Sequence, residues 1–134
     1  MSLFESCASI AIVSTVVIFA APSLIRAREN YQLDVVARQV AGNTQWTRIK
    51  AISRNRDCRV RVNTPASYVI ECAGSSWEID ETVALPRGFQ ITANASTEFH
   101  KQGNAAPAGM FTISDSHSKS KRVIVNITGR VRVD

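Results

Sequence analysis

Positive charge is missing from the first 25 residues of this 134-residue chain, since all 16 lysines and arginines lie at or after Arg26. A secretory signal peptide begins with a basic region, so this absence argues against one. The uncharged run from Ser6 to Ile25, interrupted only by Pro22, forms a helix about 30 Å long, the thickness of a bilayer's hydrocarbon core. The sequence therefore predicts a retained segment that can span a membrane.

Glu5 is the one charge in this otherwise uncharged stretch. An unpaired carboxylate one turn into an apolar helix costs several kcal/mol. The chain offers no cation before Arg26 other than its terminal amine. We therefore expect Glu5 to pair with the free amine of Met1 in a neighbouring copy of the same chain.

Enzyme motifs are also missing, because the sequence contains no Ser-His-Asp, Walker or dinucleotide pattern. His100 and His117 stand apart from each other. We interpret neither as having a Cys, Asp or Glu partner at metal-ligand spacing. We expect no enzymatic activity, no cofactor and no metal site. Asp80 and Glu81 are adjacent, so on a strand they face opposite ways and serve as surface charges.

Cysteine is scarce, with three in the chain. Cys7 lies in the apolar helix and behaves as a small hydrophobic residue. The other two end alternating stretches that predict a β-hairpin with its turn at Pro65. This register sets four pairs opposite each other: Cys58 with Cys72, Arg59 with Glu71, Val60 with Ile70 and Val62 with Tyr68.

Directly opposed residues lie within disulfide distance, so the register predicts a bridge between Cys58 and Cys72. Such a bridge implies an oxidising compartment, such as the periplasm or the cell exterior. Two reduced, buried cysteines are the alternative.

The helical pattern continues from Ser23 to about Asn55. A modest apolar stripe recurs at steps of three and four residues, formed by Leu33, Ala37, Val40, Thr44, Thr47 and Ala51. We expect one helix from Ser2 to about Asn55 with a kink near Pro22. Trp46 and Trp77 are interpreted as packing residues where this helix meets a sheet.

Short strand signals separated by Gly, Pro, Asn and Ser follow the hairpin, which is typical of antiparallel sheets. The chain is thus predicted to be α+β. It divides into an apolar helical segment (1–25), an amphipathic helical segment (26–55) and a β domain (56–134).

An apolar helix with Glu5 at the fifth position and Pro22 at the twenty-second resembles a mature type IV pilin or pseudopilin. Met1 and Ser2 depart from the Phe and Thr usual there. The order of segments 47–55, 85–89, 109–113 and 125–133 is similar to the GspH/FimT group of pseudopilins and minor pilins. The resemblance implies a long N-terminal helix packed on a β-sandwich.

The resemblance also implies a function. Such a chain is a structural subunit of a type IV pilus-type filament, partnered by its own copies or other pilins. It resides in the inner membrane with its β domain in the periplasm, and then in an extracellular pilus or periplasmic pseudopilus. Met1, Glu5 and Pro22 are its expected assembly residues. A GspH-type pseudopilin of type II secretion is the alternative.

DNA uptake is a further alternative, since some relatives bind DNA through Gly-Arg-x-Arg, which Gly129 to Arg132 matches. The candidate DNA-binding residues are Lys119, Lys121, Arg122, Arg130 and Arg132. A second basic run comprises Arg48, Lys50, Arg54, Arg56, Arg59 and Arg61. The alternative, which we favour, is that these residues form a solvated charged face that keeps filaments soluble.

Overall fold

The structure is a computed structural model that describes residues 2–134. The Met1 amine, expected to pair with Glu5, lies outside the described residues. These residues form one helix, α1 (Leu3–Arg54), followed by eight strands. The strands are β1 (Cys58–Thr64), β2 (Ser67–Ala73), β3 (Trp77–Ala84), β4 (Gln90–Ala93), β5 (Thr97–Phe99), β6 (Gly109–Ser114), β7 (Ser120–Val125) and β8 (Val131–Val133).

Internal contacts divide the chain into two units, the second of which begins at Leu33. In the first unit, residues 2–28 are all exposed. Its most apolar 18-residue window has a mean hydropathy of 2.2, so by length and composition α1 can cross a membrane. The helix runs past Pro22 without interruption. The kink at Pro22 stays a prediction, as does the division into three segments.

Three hydroxyl groups in the apolar part of α1 bond to the backbone of the same helix. Ser14 Oγ donates to the Ile10 carbonyl at 2.8 Å, and Thr15 Oγ1 donates to the Ala11 carbonyl at 2.8 Å. Ser9 Oγ bonds to the Glu5 carbonyl in the same way. Because their donors are satisfied within the helix, these residues add less polarity than their number implies.

The second unit is built on the predicted stripe of α1. All six stripe residues are buried there, together with Val36. Asn43 Nδ2 donates to the buried Tyr68 hydroxyl at 2.7 Å, which ties α1 to β2. Burial raises the pKa of Tyr68, and the Asn43 hydrogen bond offsets part of this effect.

Two antiparallel four-stranded sheets complete this unit, with strand orders β3-β2-β1-β5 and β4-β6-β7-β8. All four predicted residue pairs of the β1–β2 hairpin are present. Cys58 and Cys72 form the expected disulfide. Buried residues of the helix and of both sheets belong to one core cluster, whose largest members are Tyr68, Phe99 and Phe111. The α+β prediction is therefore confirmed.

Asp80 and Glu81 do not face opposite ways, so that prediction is wrong. Ile70 pairs with Glu81 while Glu71 pairs with Ile79, which leaves Asp80 as the extra residue of a β-bulge. The bulge breaks the alternation of side chains along β3. Both carboxylates consequently reach Lys50 Nζ, Asp80 at 2.5 Å and Glu81 at 3.5 Å.

The tryptophans also depart from the prediction. Trp46 is 51% exposed, so it does not pack between α1 and a sheet. Trp77, at the start of β3, lies beneath the Arg59 guanidinium, which is 4.1 Å from the ring centroid. The sequence pattern did not show which face of α1 carries Trp46, or that Trp77 contacts an arginine of the neighbouring strand.

Candidate functional site

The first candidate site is the N-terminal turn of α1, around Glu5. Ser2 caps this turn, since the Glu5 amide donates to the Ser2 carbonyl at 3.1 Å and lies 3.4 Å from Ser2 Oγ. The Glu5 side chain is exposed. Within residues 2–134, no cationic side chain forms an ion pair with it. A carboxylate in this position is available to a cation from outside the chain.

The second candidate site is the outer face of the β4-β6-β7-β8 sheet. Along β7 and β8, Val123 pairs with Val133 and Val125 with Val131, and these valines turn toward the core. Arg122, Arg130 and Arg132 alternate with them and are exposed. The structure therefore brings three of the five candidate DNA-binding residues onto one face.

Lys121 is not part of this face. It precedes the exposed Arg122 by one residue and is opposite the buried Ile113, so it points toward α1. There its Nζ lies 2.6 Å from Asp34 Oδ1. The Lys121 and Arg38 hydrogen bonds lower the pKa of Asp34 below its ordinary value of 3.8. Lys121 thus links β7 to the helix.

The remaining candidate, Lys119, lies in the turn before β7. Its amide donates to Asp115 Oδ1 at 2.9 Å, and its side chain is half-buried. Of the three arginines on the outer face, Arg132 is 3.4 Å from Asp134. Across residues 2–134, Arg122 and Arg130 have no acidic partner.

Most side chains of the second basic run form ion pairs within the chain. Glu71, only 4% exposed, binds Arg59 at 2.6 Å and Arg61 at 2.7 Å. The Arg61 hydrogen bond, helped by that of Arg59, lowers the pKa of Glu71 although burial opposes the shift. This run is therefore structural rather than a continuous basic surface.

Lys50 and Arg54 are paired as well. Arg54 Nη1 binds Asp80 at 2.7 Å, and Lys50 binds the same carboxylate. Hydrogen bonds from Arg54 and Lys50 lower the pKa of Asp80. These two pairs join the end of α1 to β3.

Sequence reasoning missed the role of Gly129, the first residue of the Gly-Arg-x-Arg match. Its φ is +81°, and a Cβ there would lie 2.1 Å from the Gly103 carbonyl oxygen and 2.7 Å from Arg48 Nε. Arg48 Nε donates to that same carbonyl at 2.7 Å. The glycine of the motif is therefore required by packing, and no local sequence signal connects it to Arg48.

Sequence reasoning also missed a cluster around His100. Its Nδ1 lies 3.2 Å from Asp57 Oδ2 and 3.9 Å from Glu98 Oε1. Asp57 is 43 positions away, so linear spacing could not reveal it. The interpretation that His100 has no carboxylate at metal-ligand spacing is wrong, because Glu98 lies two residues before it.

Solved structures place this fold in a known class. The type IV minor pilin FimU of Pseudomonas aeruginosa superposes with a TM-score of 0.66 at 15% identity, covering 79% of this chain and 90% of that chain. The minor pseudopilin EpsH of the Vibrio cholerae type 2 secretion system gives 0.67 at 13% identity, covering 77% and 96%. The fold is that of type IV pilin-like subunits.

The family follows from the sequence. No curated protein matches the chain. The family model of the type II transport protein GspH matches residues 36–129, which is most of the chain. The chain therefore belongs to the GspH family, and it is a pilin- or pseudopilin-like subunit of the kind found in type IV pili and type II secretion systems.

Proposed function

We propose that this chain is a structural subunit of a type IV pilus-type filament. Before assembly, its segment 6–25 resides in the inner membrane and the β domain in the periplasm. After assembly, the same segment packs among the helices of its own copies or other pilins.

One observation carries this proposal, namely the uncovered apolar surface of the first unit. Residues 2–28 are exposed along their whole length. The large side chains among them are Leu3, Phe4, Ile10, Ile12, Val13, Val16, Val17, Ile18, Phe19, Leu24 and Ile25. Burial of apolar surface is worth roughly 25 cal/mol per Å², so such a surface is stable only against lipid or other helices.

Glu5 supplies the specificity of this packing. A carboxylate among apolar helices requires a cation, and segment 6–25 contains none. The N-terminal amine of a neighbouring copy is the proposed partner. The pair would fix the axial position of one helix against the next, because a displaced helix leaves a charge unpaired.

The test replaces Glu5 with Ala and measures the amount of the chain in filaments sheared from cells. Assembly should fall sharply, while the β domain keeps its disulfide and its unfolding transition. Glu29→Ala, which removes a carboxylate from the same helix after the apolar segment, is the matched control. A normal filament yield from Glu5→Ala would overturn the proposed pairing. Mass spectrometry of assembled protein tests whether Met1 is the terminus.

A second candidate function is DNA binding by the outer face of β7 and β8. Its support is that Arg122, Arg130 and Arg132 lie on one exposed face, opposite the paired valines of β7 and β8 that pack against the core. Arginines spaced along a sheet face can follow a phosphate backbone without reading its sequence. The Gly129 contact gives the motif a structural explanation, so this function is placed second.

The DNA test is a gel shift at low salt with Arg130→Gln/Arg132→Gln. Loss of binding supports the second function, and unchanged affinity excludes it. Arg56→Gln, which removes an exposed arginine elsewhere, should have no effect on DNA affinity.

A type II secretion pseudopilin is distinguished from a pilus subunit by whether filaments on the cell surface contain the chain.

A further inference from the structure

We propose that Asp57, Glu98 and His100 form a binding site for a divalent transition metal ion such as Zn²⁺. The three side chains offer one imidazole nitrogen and two carboxylate oxygens, all within 4.8 Å of one another. This site is independent of the proposed role in filament assembly. It lies where the first sheet meets the segment between α1 and β1.

The sheet register brings these residues together. β1 and β5 are antiparallel, with Cys58 opposite Phe99 and Arg59 opposite Glu98. Continuing that register by one residue sets Asp57 opposite His100. Glu98 is two residues from His100, so both side chains project from the same face of the strand.

The donor atoms have nearly the separation that one metal ion requires. Zn²⁺ binds nitrogen and oxygen ligands at about 2.0–2.2 Å, so neighbouring donors lie about 3–3.5 Å apart. His100 Nδ1 is 3.2 Å from Asp57 Oδ2, within this range. The distance between His100 Nδ1 and Glu98 Oε1 is 3.9 Å, and a small rotation of the glutamate side chain would bring it into the same range.

The main chain on both sides of the site is fixed by hydrogen bonds. The Ala73 amide donates to the Asp57 carbonyl at 2.7 Å, and the His100 amide donates to the Asn104 carbonyl at 2.9 Å. Asp57 is also followed directly by the disulfide residue Cys58. A site whose backbone is already ordered loses little conformational entropy when an ion binds.

The Asp57 carboxylate is itself oriented. Its Oδ1 accepts a hydrogen bond from the Lys101 amide at 3.1 Å, which leaves Oδ2 directed at His100. Outer partners of this kind set the direction of a ligand and raise metal affinity.

The charge of the cluster also favours a divalent cation. The two carboxylates of the cluster carry two negative charges. The nearest cation in the register, Arg59, is engaged elsewhere, because it binds Glu71 at 2.6 Å and stacks on Trp77. The side chains of Asp57, Glu98 and His100 are between 24% and 36% exposed, so an ion can enter and retain water as additional ligands.

The ligand types indicate which metal. Carboxylate and water ligands alone suit Mg²⁺ or Ca²⁺, whereas imidazole suits Zn²⁺, Ni²⁺ and Cu²⁺. Three protein ligands with open positions are typical of exposed zinc sites rather than of closed structural ones. We therefore expect Zn²⁺ to bind more tightly than Ca²⁺.

Calorimetric titration of the metal-free full chain in detergent with ZnCl₂ tests the proposal. One ion should bind per chain, and Asp57→Asn, Glu98→Gln and His100→Gln should each weaken binding at least tenfold. His117→Gln is the matched control and should leave the affinity unchanged. Equal affinity of wild type and His100→Gln, or tighter binding of Ca²⁺ than of Zn²⁺, overturns the site.

A second measurement needs no substitution and so is unaffected by any failure of a variant to fold. Co²⁺ added to the wild-type chain should broaden the proton resonances of the His100 ring and leave those of His117 sharp. Zn²⁺ should also raise the unfolding temperature, because it binds the folded state and joins Asp57 to β5. Absence of broadening at His100 would exclude metal binding there.

Discussion

Arg48 Nε donates a hydrogen bond of 2.7 Å to the carbonyl of Gly103, 55 positions later in the chain. Gly129 lies directly against both groups. Three segments that are remote in sequence are thereby joined at one point: the last third of α1, the turn after β5 and the turn before β8. The stability of this junction depends on the absence of a side chain at Gly129.

Gly129→Ala should destabilise the β domain by about 3 kcal/mol, because the new Cβ meets the Gly103 carbonyl and the backbone has positive φ. Gly88→Ala is the control, since Gly88 has φ +88° but no atom within 4 Å of its Cβ position. It should cost only about 1 kcal/mol of backbone strain. Urea unfolding measures the free energy of unfolding of both variants. Equal losses of stability would mean that the close contact of the new Cβ with the Gly103 carbonyl contributes nothing.

Gly42→Ala should stabilise the protein. Gly42 is exposed in the interior of α1, and a Cβ there meets nothing within 4 Å. Alanine in a helix interior is favoured over glycine by about 0.5–1 kcal/mol. The midpoint of urea unfolding should rise without a change in slope. A fall in the midpoint would show that the flexibility of glycine is needed at this position.

Tyr68→Phe should cost about 1–2 kcal/mol, because it removes the acceptor of the Asn43 amide while the ring stays buried. Tyr31→Phe removes the same hydroxyl from a side chain that is 69% exposed and should change stability by less than about 0.5 kcal/mol. Thermal unfolding of the two variants side by side provides the comparison. A loss of equal size at both positions would contradict the role of the Asn43 contact.

Glu71→Gln should destabilise the protein at pH 7 by about 2 kcal/mol, since both arginines lose their carboxylate partner. The pKa of Glu71 is lower in the folded than in the unfolded state, where it is near 4.5. Its stabilising contribution is therefore complete above about pH 5 and is lost as the pH falls below 4.5 and through the lower folded value.

The measurement is urea unfolding of wild type and Glu71→Gln between pH 7 and pH 3. The difference in the free energy of unfolding should narrow as the pH falls. Glu78→Gln, at an exposed position of β3, should leave the wild-type profile unchanged. A constant difference at every pH would show that the ionised form of Glu71 is not the stabilising species.

Local patterns predicted much of this fold. The apolar stripe of α1 and the β1–β2 register could be inferred because both follow from short periods of three to four and of two residues. The disulfide followed from the register, since it joins directly opposed positions. Glu5 was recognisable because a single charge in an apolar stretch needs no tertiary information.

The remaining features depend on long-range contacts. The bulge at Asp80 arises from pairing with β2, and the cluster of Asp57 with His100 from pairing with β5. Lys121 was assigned to a basic surface because its neighbours are basic, but its position in β7 turns it toward Asp34. A stretch of basic residues in the sequence does not by itself specify on which face of a sheet each side chain lies.

The contact between Gly129 and Arg48 limits the information in the four-letter match from Gly129 to Arg132. Any chain that keeps this junction must keep the glycine, whether or not it binds a ligand. Val131 is likewise fixed by its place against the core. Half of the motif thus has a structural explanation, and only Arg130 and Arg132 bear on the proposed DNA binding. Arg122 lies outside the motif but on the same exposed face, so a test of DNA binding that is limited to the motif would leave out one of its three exposed arginines.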